Sequence, residues 1–233
     1  MPDTNKLNPL IEPLVTLIIP ALILMKLSGP EQLGTAPALL LAIAFPLAWG
    51  MRDLLRRRKL NLFAALGMVS VLLTGGIGLL QLDTQWLAAK EAAIPALIGL
   101  AVLVSDQTRY PLVRTLLLNP TLVDVAAIQR QLSARGSEQA FEARLRTATW
   151  MLSGTFFFSA AMNYFLATWI VTSPAGSPAF NEELGRLTLV SYPMIAIPSM
   201  LMMMAVLYYL ARTIHTLTGL RLAEILNRHG AER

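Results

Sequence analysis

Lys90 and Glu91 stand side by side at the start of a long apolar run, 87–105, and that charged pair is the chain's foremost candidate for chemistry. An ionised side chain within a membrane span is costly, so it is kept where it meets a partner, a cavity or a ligand. Glu12 lies a few residues into another apolar run, 9–28, whose far end carries Lys26. Fourteen residues at ~1.5 Å each put about 21 Å between Glu12 and Lys26. Lys26 and Lys90 therefore share a depth with Glu91, whereas Glu12 needs a partner on the opposite side, such as Arg52 or Arg109. At mid-depth the polar residues are Asn163, Ser159, Thr74 and Ser70. An unpaired amide in hydrocarbon costs on the order of several kcal/mol, so Asn163 must bond another helix or a ligand. Glu12, Thr74, Lys90, Glu91 and Asn163 are accordingly the expected ligand-binding residues.

The same inventory argues against catalysis. There is no cysteine, and the two histidines, His215 and His229, are not spaced as metal ligands or as a base beside a nucleophile. Phosphate-binding and dinucleotide-binding glycine patterns are missing, as is the Gly-x-Ser-x-Gly elbow. An intramembrane aspartate pair is not offered either, because Asp53, Asp83, Asp106 and Asp124 fall at the ends of apolar runs or between them. Met202, Met203 and Met204 read as core filler. No enzyme activity, cofactor or metal is expected.

These residues are positioned by six apolar runs, roughly 9–28, 34–52, 61–81, 87–105, 149–171 and 187–211, each near the ~20 residues a helix needs to cross a bilayer. With 55% hydrophobic and only 14% charged residues, the chain suits a lipid solvent better than a soluble core. The expected fold is all-α, a polytopic helix bundle of six transmembrane helices forming one integral membrane domain over 1–233. Positive charge sets its orientation, because Lys and Arg are retained on the cytoplasmic side. With the N-terminus inside, the inner segments hold Lys6; Arg52, Arg56, Arg57, Arg58 and Lys59; Arg109, Arg114, Arg130, Arg135, Arg144 and Arg146; and Arg212, Arg221, Arg228 and Arg233. The outer segments hold only Lys26, Lys90 and Arg186. Both termini are thus placed in the cytoplasm, with Arg56, Arg57, Arg58 and Lys59 as the membrane-orienting cluster. Residues 1–28 read as the first span rather than a cleaved signal, since Lys26 falls where a cleavage region is small and neutral.

The net charge of +5 points to anionic lipid at the cytoplasmic face rather than to nucleic acid, because no nucleic-acid module accompanies it. The inner loop 106–148 offers Leu122, Val125, Ala126, Gln129 and Leu132 at helical spacing, then Phe141, Leu145 and Ala148. It reads as an amphipathic pair on the membrane face, or as a docking element. The tail 212–233 repeats the pattern with Ile214, Leu217, Leu222, Ile225 and Leu226. The outer segment from Ser173 to Arg186 has too few apolar residues to fold alone.

Prolines 13, 20, 46, 95, 193 and 198 interrupt four spans, and each frees a carbonyl that a neighbour or a cavity must satisfy. Thr74-Gly75-Gly76-Ile77-Gly78 superficially resembles a potassium-filter strand but lies inside one spanning run, so close helix packing is the expected use. Ile19-Pro20-Ala21-Leu22-Ile23 recurs as Ile94-Pro95-Ala96-Leu97-Ile98, which admits an arrangement of two inverted three-helix halves. Ser153-Gly154 and Ser159-Ala160-Ala161 permit close helix contact within one chain or in a homo-oligomer.

Arg56-Arg57-Arg58-Lys59, Asn61-Leu62-Phe63, Ala65-Leu66-Gly67, the run Ser70 to Gly78, and Trp86 with Lys90-Glu91-Ala92-Ala93-Ile94-Pro95 together carry a family resemblance. With Ile170-Val171-Thr172-Ser173-Pro174 and Phe180-Asn181, the chain resembles a family of uncharacterised bacterial six-span inner-membrane proteins distantly related to intracellular septation protein A. The resemblance implies a bacterial inner-membrane location and a tie to envelope synthesis or division, and it supplies no catalytic residues. Small-molecule transport or ligand binding within the bundle is the favoured function, motivated by the proline-broken spans and the Lys90/Glu91 pair. The alternative is a non-enzymatic organiser of envelope proteins.

Overall fold

A computed structural model of the chain describes residues 17–57, 62–108, 111–117 and 123–220. It holds eight helices among those residues and no strand: α1 (Ile19–Leu27), α2 (Thr35–Arg57), α3 (Leu62–Leu79), α4 (Thr84–Ser105), α5 (Leu112–Leu117), α6 (Val125–Ala134), α7 (Glu138–Ile170) and α8 (Pro178–Thr218). Three are long and apolar enough to cross a membrane, namely α2 over Thr35–Arg52, α4 and α8, and Gly67–Leu79 of α3 is a shorter apolar stretch.

Local chemistry explains the breaks between helices. Gly34 at φ 81° joins α1 to α2 in the left-handed region that glycine enters without strain. Between α3 and α4 the chain turns through Gln81 at φ 53°, and the Asp83 carboxylate then accepts from the Gln85 amide (2.8 Å) to start α4. Asp124 caps α6 by accepting from the Ala127 amide (2.9 Å). Ser177 caps α8 by accepting from the Phe180 amide (3.1 Å), with Pro178 at the first helical position, where its missing amide hydrogen costs nothing.

That last helix extends well beyond its apolar run. The sixth run was placed at 187–211, yet α8 covers 41 residues from Pro178. Much of the supposed outer segment is helix because Phe180, Leu184 and Leu187 form an apolar stripe that is buried. Similarly, α7 joins Phe141, Leu145 and Ala148 to the fifth expected span as one 33-residue helix, and all three residues are buried. In α6 the buried positions are Ile128 and Leu132, whereas Ala126 and Gln129 are exposed. Of the expected stripe, Leu132 is buried and Val125 partly buried, Ile128 joins them in place of Ala126 and Gln129, and Leu122 lies outside the described residues.

The chain divides into two compact units, one of residues 1–93 and 160–196, the other of 94–159 and 197–233. Each draws on both sequence halves. The first unit packs Ile23 and Leu24, Ala38, Leu39 and Ala42, Ile77, Leu87, Leu166, Phe180 and Leu184 around one core. Glycine permits its closest approaches: a Cβ on Gly75 would lie 2.7 Å from Ile43 Cδ1, and one on Gly78 would lie 2.5 Å from Leu39 Cδ2. The Thr74-to-Gly78 run thus serves helix packing. Within the second unit, Ile128 and Leu132 of α6 pack with Leu145, Leu152, Val206, Leu210 and Ile214. Ser153 Oγ donates to Gly99 O (2.7 Å), joining α7 to α4.

Candidate functional site

Ser70 and Thr74 are four residues apart on α3 and so occupy one face, one turn above the other. Thr74 Oγ1 donates to Ser70 O (3.0 Å), as a helical threonine does when its hydroxyl has nothing better to bond. Across from them, α4 brings in Lys90. Its ammonium donates to Thr74 Oγ1 (2.6 Å), Ser70 Oγ (3.2 Å) and Ser70 O (3.4 Å), and it forms an ion pair with Glu91 Oε1 at 2.6 Å. Three N–H donors thus face four oxygens, with the two shortest contacts at Thr74 and Glu91. The Lys90 side chain is 9% exposed and that of Glu91 30% exposed.

The α3–α4 turn explains the meeting. Thr74 lies five residues before the end of α3 and Lys90 six after the start of α4, so both sit about 8–9 Å from the turn. Thr74 therefore lies level with Lys90, at a similar distance from the turn. Trp86, 64% exposed on α4, lies one turn nearer the helix start. Such amphipathic rings settle at the bilayer surface, which would place Lys90 about 6 Å deeper. At that depth a lysine ordinarily extends outward to water. Here it turns to α3, because two hydroxyls, a carbonyl and a carboxylate solvate the ammonium in place.

Every Lys90 hydrogen has an acceptor, so a ligand reaches the ammonium only by displacing one, whereas Glu91 is the more accessible partner. Among the described residues no group of three or more His, Asp or Glu is placed to hold a metal ion.

The other expected residues lie elsewhere or outside the described residues. Asn163 is half-buried on α7 and has a partner, but it supplies none of the four acceptor oxygens around Lys90. Lys26 is exposed at the end of α1. Glu12, Arg58 and Lys59 lie outside the described residues, while Arg56 and Arg57 fall in the last turn of α2. Arg52 stacks over the Trp49 ring at 5.5 Å.

Two polar residues that no spacing argument singled out hold the first unit together. Asn181, 1% exposed, donates from Nδ2 to Ser28 Oγ (3.0 Å) and Thr35 O (2.8 Å), tying α8 to both ends of the α1–α2 link. Glu183 accepts from the Thr172 and Ser173 amides (3.0 and 2.9 Å) and from both hydroxyls, locking the α7–α8 connection. The Ser177-Pro178 start signal, followed by Phe180 and Leu184, was the cue that this polar stretch is helical.

No family model, curated protein or solved structure matches the chain.

Proposed function

We propose that the chain is a six-span inner-membrane protein, both termini cytoplasmic, that binds or transports a small molecule through the Lys90–Glu91 group. The observation that carries the function is a lysine 9% exposed, solvated by α3 and paired with a partly exposed carboxylate. A group this costly to bury is a functional site by default. Since the Lys90 donors are all engaged, the ligand expected first at Glu91 is a small cationic or hydrogen-bond-donating solute.

Uncovered apolar surface supports the membrane placement. Val69, Leu72 and Leu73 on α3, Leu97, Leu100 and Val104 on α4, and Ile197, Met200, Leu201 and Met204 on α8 are all exposed. On α7, Trp150 and Trp169 are 65% and 66% exposed. Their separation of nineteen helical steps spans about 28 Å, close to the ~30 Å hydrocarbon core, which supports α7 as a further span despite its Ser153, Ser159 and Asn163. The envelope-organiser reading loses one docking element, since Ile128 and Leu132 of the inner loop are turned onto the chain's own α7 and α8.

The lack of native cysteine makes the orientation directly measurable. A membrane-impermeant maleimide applied to spheroplasts should label Glu31→Cys and leave Ala134→Cys unlabelled until the membrane is broken. The reverse pattern overturns the orientation. For the function, native mass spectrometry of gently solubilised chain should release one small molecule per chain from the wild type and none from Glu91→Gln. Equal release from both, or co-purifying protein with no small molecule, overturns the ligand reading.

A further inference from the structure

A cavity of about 460 Å³ opens between α7 and α8, lined by Arg144 and Met151 from one helix and by Tyr208, Tyr209, Arg212 and Thr213 from the other. Of its two threonines, Thr216 donates to the Arg212 carbonyl (2.8 Å) and Thr213 does not bond in this way. Thr213 is 3% exposed, and its Oγ1 is buried with no hydrogen-bond partner among the described residues. The other buried threonines, Thr149, Thr155 and Thr218, each donate to the carbonyl one turn earlier, at 3.1, 3.2 and 2.6 Å. Burying a hydroxyl without a bond is unfavourable, so Thr213 Oγ1, like Ser199 Oγ and Asn181 Oδ1 elsewhere in the fold, is open to a partner beyond the described residues.

Among the described residues some arginines form ion pairs and others do not. Arg114 pairs with Glu142 at 2.7 Å and Arg146 with Asp106 at 4.0 Å. Arg144 and Arg212 form no ion pair among the described residues. Two guanidiniums without an ion pair among the described residues and a hydroxyl donor around one cavity are the donor set of a phosphate site, since planar N–H forks match phosphate oxygens.

What adjoins the cavity identifies the phosphate's carrier. On α8 the exposed apolar side chains Met200, Leu201, Met204 and Leu207 run up to Tyr208, and the next turn supplies Arg212. On α7 exposed Trp150 stands beside Met151, and Arg144 lies nearer the helix start. On both helices apolar surface gives way to arginine at the cavity, the arrangement expected where acyl chains end and headgroups begin. A soluble phosphate would have no use for the adjoining apolar face.

We propose that this cavity seats the phosphate of an anionic glycerophospholipid, held by Arg144 and Arg212 with Thr213 donating to it, while the acyl chains lie along the exposed face of α8. The proposal rests on the membrane placement of α7 and α8 and is independent of Lys90 and Glu91.

Delipidated full-length chain in detergent, mixed with phosphatidylglycerol or phosphatidylcholine and read by native mass spectrometry, tests it. One phosphatidylglycerol should be retained per chain, and Arg144→Gln with Arg212→Gln should weaken retention at least about tenfold. Both arginines are exposed, so the fold is expected to survive; gel filtration and helical circular dichroism verify this. Thr213→Val supplies a readout that a packing role would not produce. Removing the idle hydroxyl should raise the melting temperature of lipid-free chain while shrinking the further rise that phosphatidylglycerol brings. Retention unchanged in the double variant, equal retention of phosphatidylcholine, or displacement of the lipid by millimolar inorganic phosphate would each overturn the lipid site. Chain that no longer partitions into membranes would instead overturn the placement on which the site depends.

Discussion

Lys90→Met lowers the stability of the solubilised chain by about 2–3 kcal/mol, and adding Glu91→Gln restores most of that loss. The argument starts from what each group retains when the ammonium is gone. Thr74 Oγ1 still donates to Ser70 O at 3.0 Å, so the α3 hydroxyl is not stranded. Methionine fills nearly the same length as lysine, so little cavity is left. The cost therefore falls on Glu91, whose carboxylate loses its 2.6 Å counter-ion. Removing one partner of a fully buried pair costs roughly 3–5 kcal/mol; with Glu91 30% exposed, water recovers part of it, hence the lower figure. Glutamine removes the orphaned charge, which is why the double variant recovers. Thermal unfolding of all four proteins of the cycle in one detergent measures this. Additive losses would mean that Lys90 and Glu91 are not coupled, and the candidate site would lose its central contact.

Much of this site was legible because a short connection fixes depth. The turn between α3 and α4 is only a few residues long, so residues at similar distances from it must be neighbours, and Thr74, Lys90 and Glu91 were each identifiable as polar groups in apolar runs. A hydropathy run by itself does not show that Thr74 is level with Lys90, whereas the turn does. Asn181 shows the opposite limit. It lies among Glu182, Glu183 and Arg186, a composition that reads as a water-facing connection, and its burial depends on Ser28 and the Thr35 carbonyl, more than 140 residues earlier in the chain. Such a partner leaves no local periodicity to detect. The length of α8 was partly readable from the Ser177-Pro178 cap, but hydropathy alone hides a helix whose first turns are polar on one side. For α6 the helical period was visible and its phase only in part, through Val125 and Leu132, because phase is set by where Leu145, Val206 and Leu210 lie.

Gly185→Leu should be the most damaging small-to-large change among the described glycines, costing about 3 kcal/mol or preventing assembly of the first unit. A Cβ at Gly185 would lie 2.6 Å from Ala21 O and 2.7 Å from Met25 Cγ. Met25 can rotate away, but the Ala21 carbonyl belongs to the backbone of α1, so relief requires the two helices to separate. Separation in turn strains the Asn181 bonds to Ser28 and Thr35 and opens the packing of Ile23 and Leu24 against Leu184, so the damage is not confined to one contact. Gly76 provides the control: a Cβ there meets nothing within 4 Å, and it lies inside α3 between Gly75 and Gly78, whose added Cβ atoms would meet Ile43 and Leu39. Gly76→Ala should therefore be neutral or gain up to about 1 kcal/mol from helix propensity. Thermal unfolding in a common detergent separates the two cases. If Gly185→Leu melts with the wild type, α1 and α8 do not meet at this backbone contact, and the close approach that places Asn181 over the α1–α2 link is wrong.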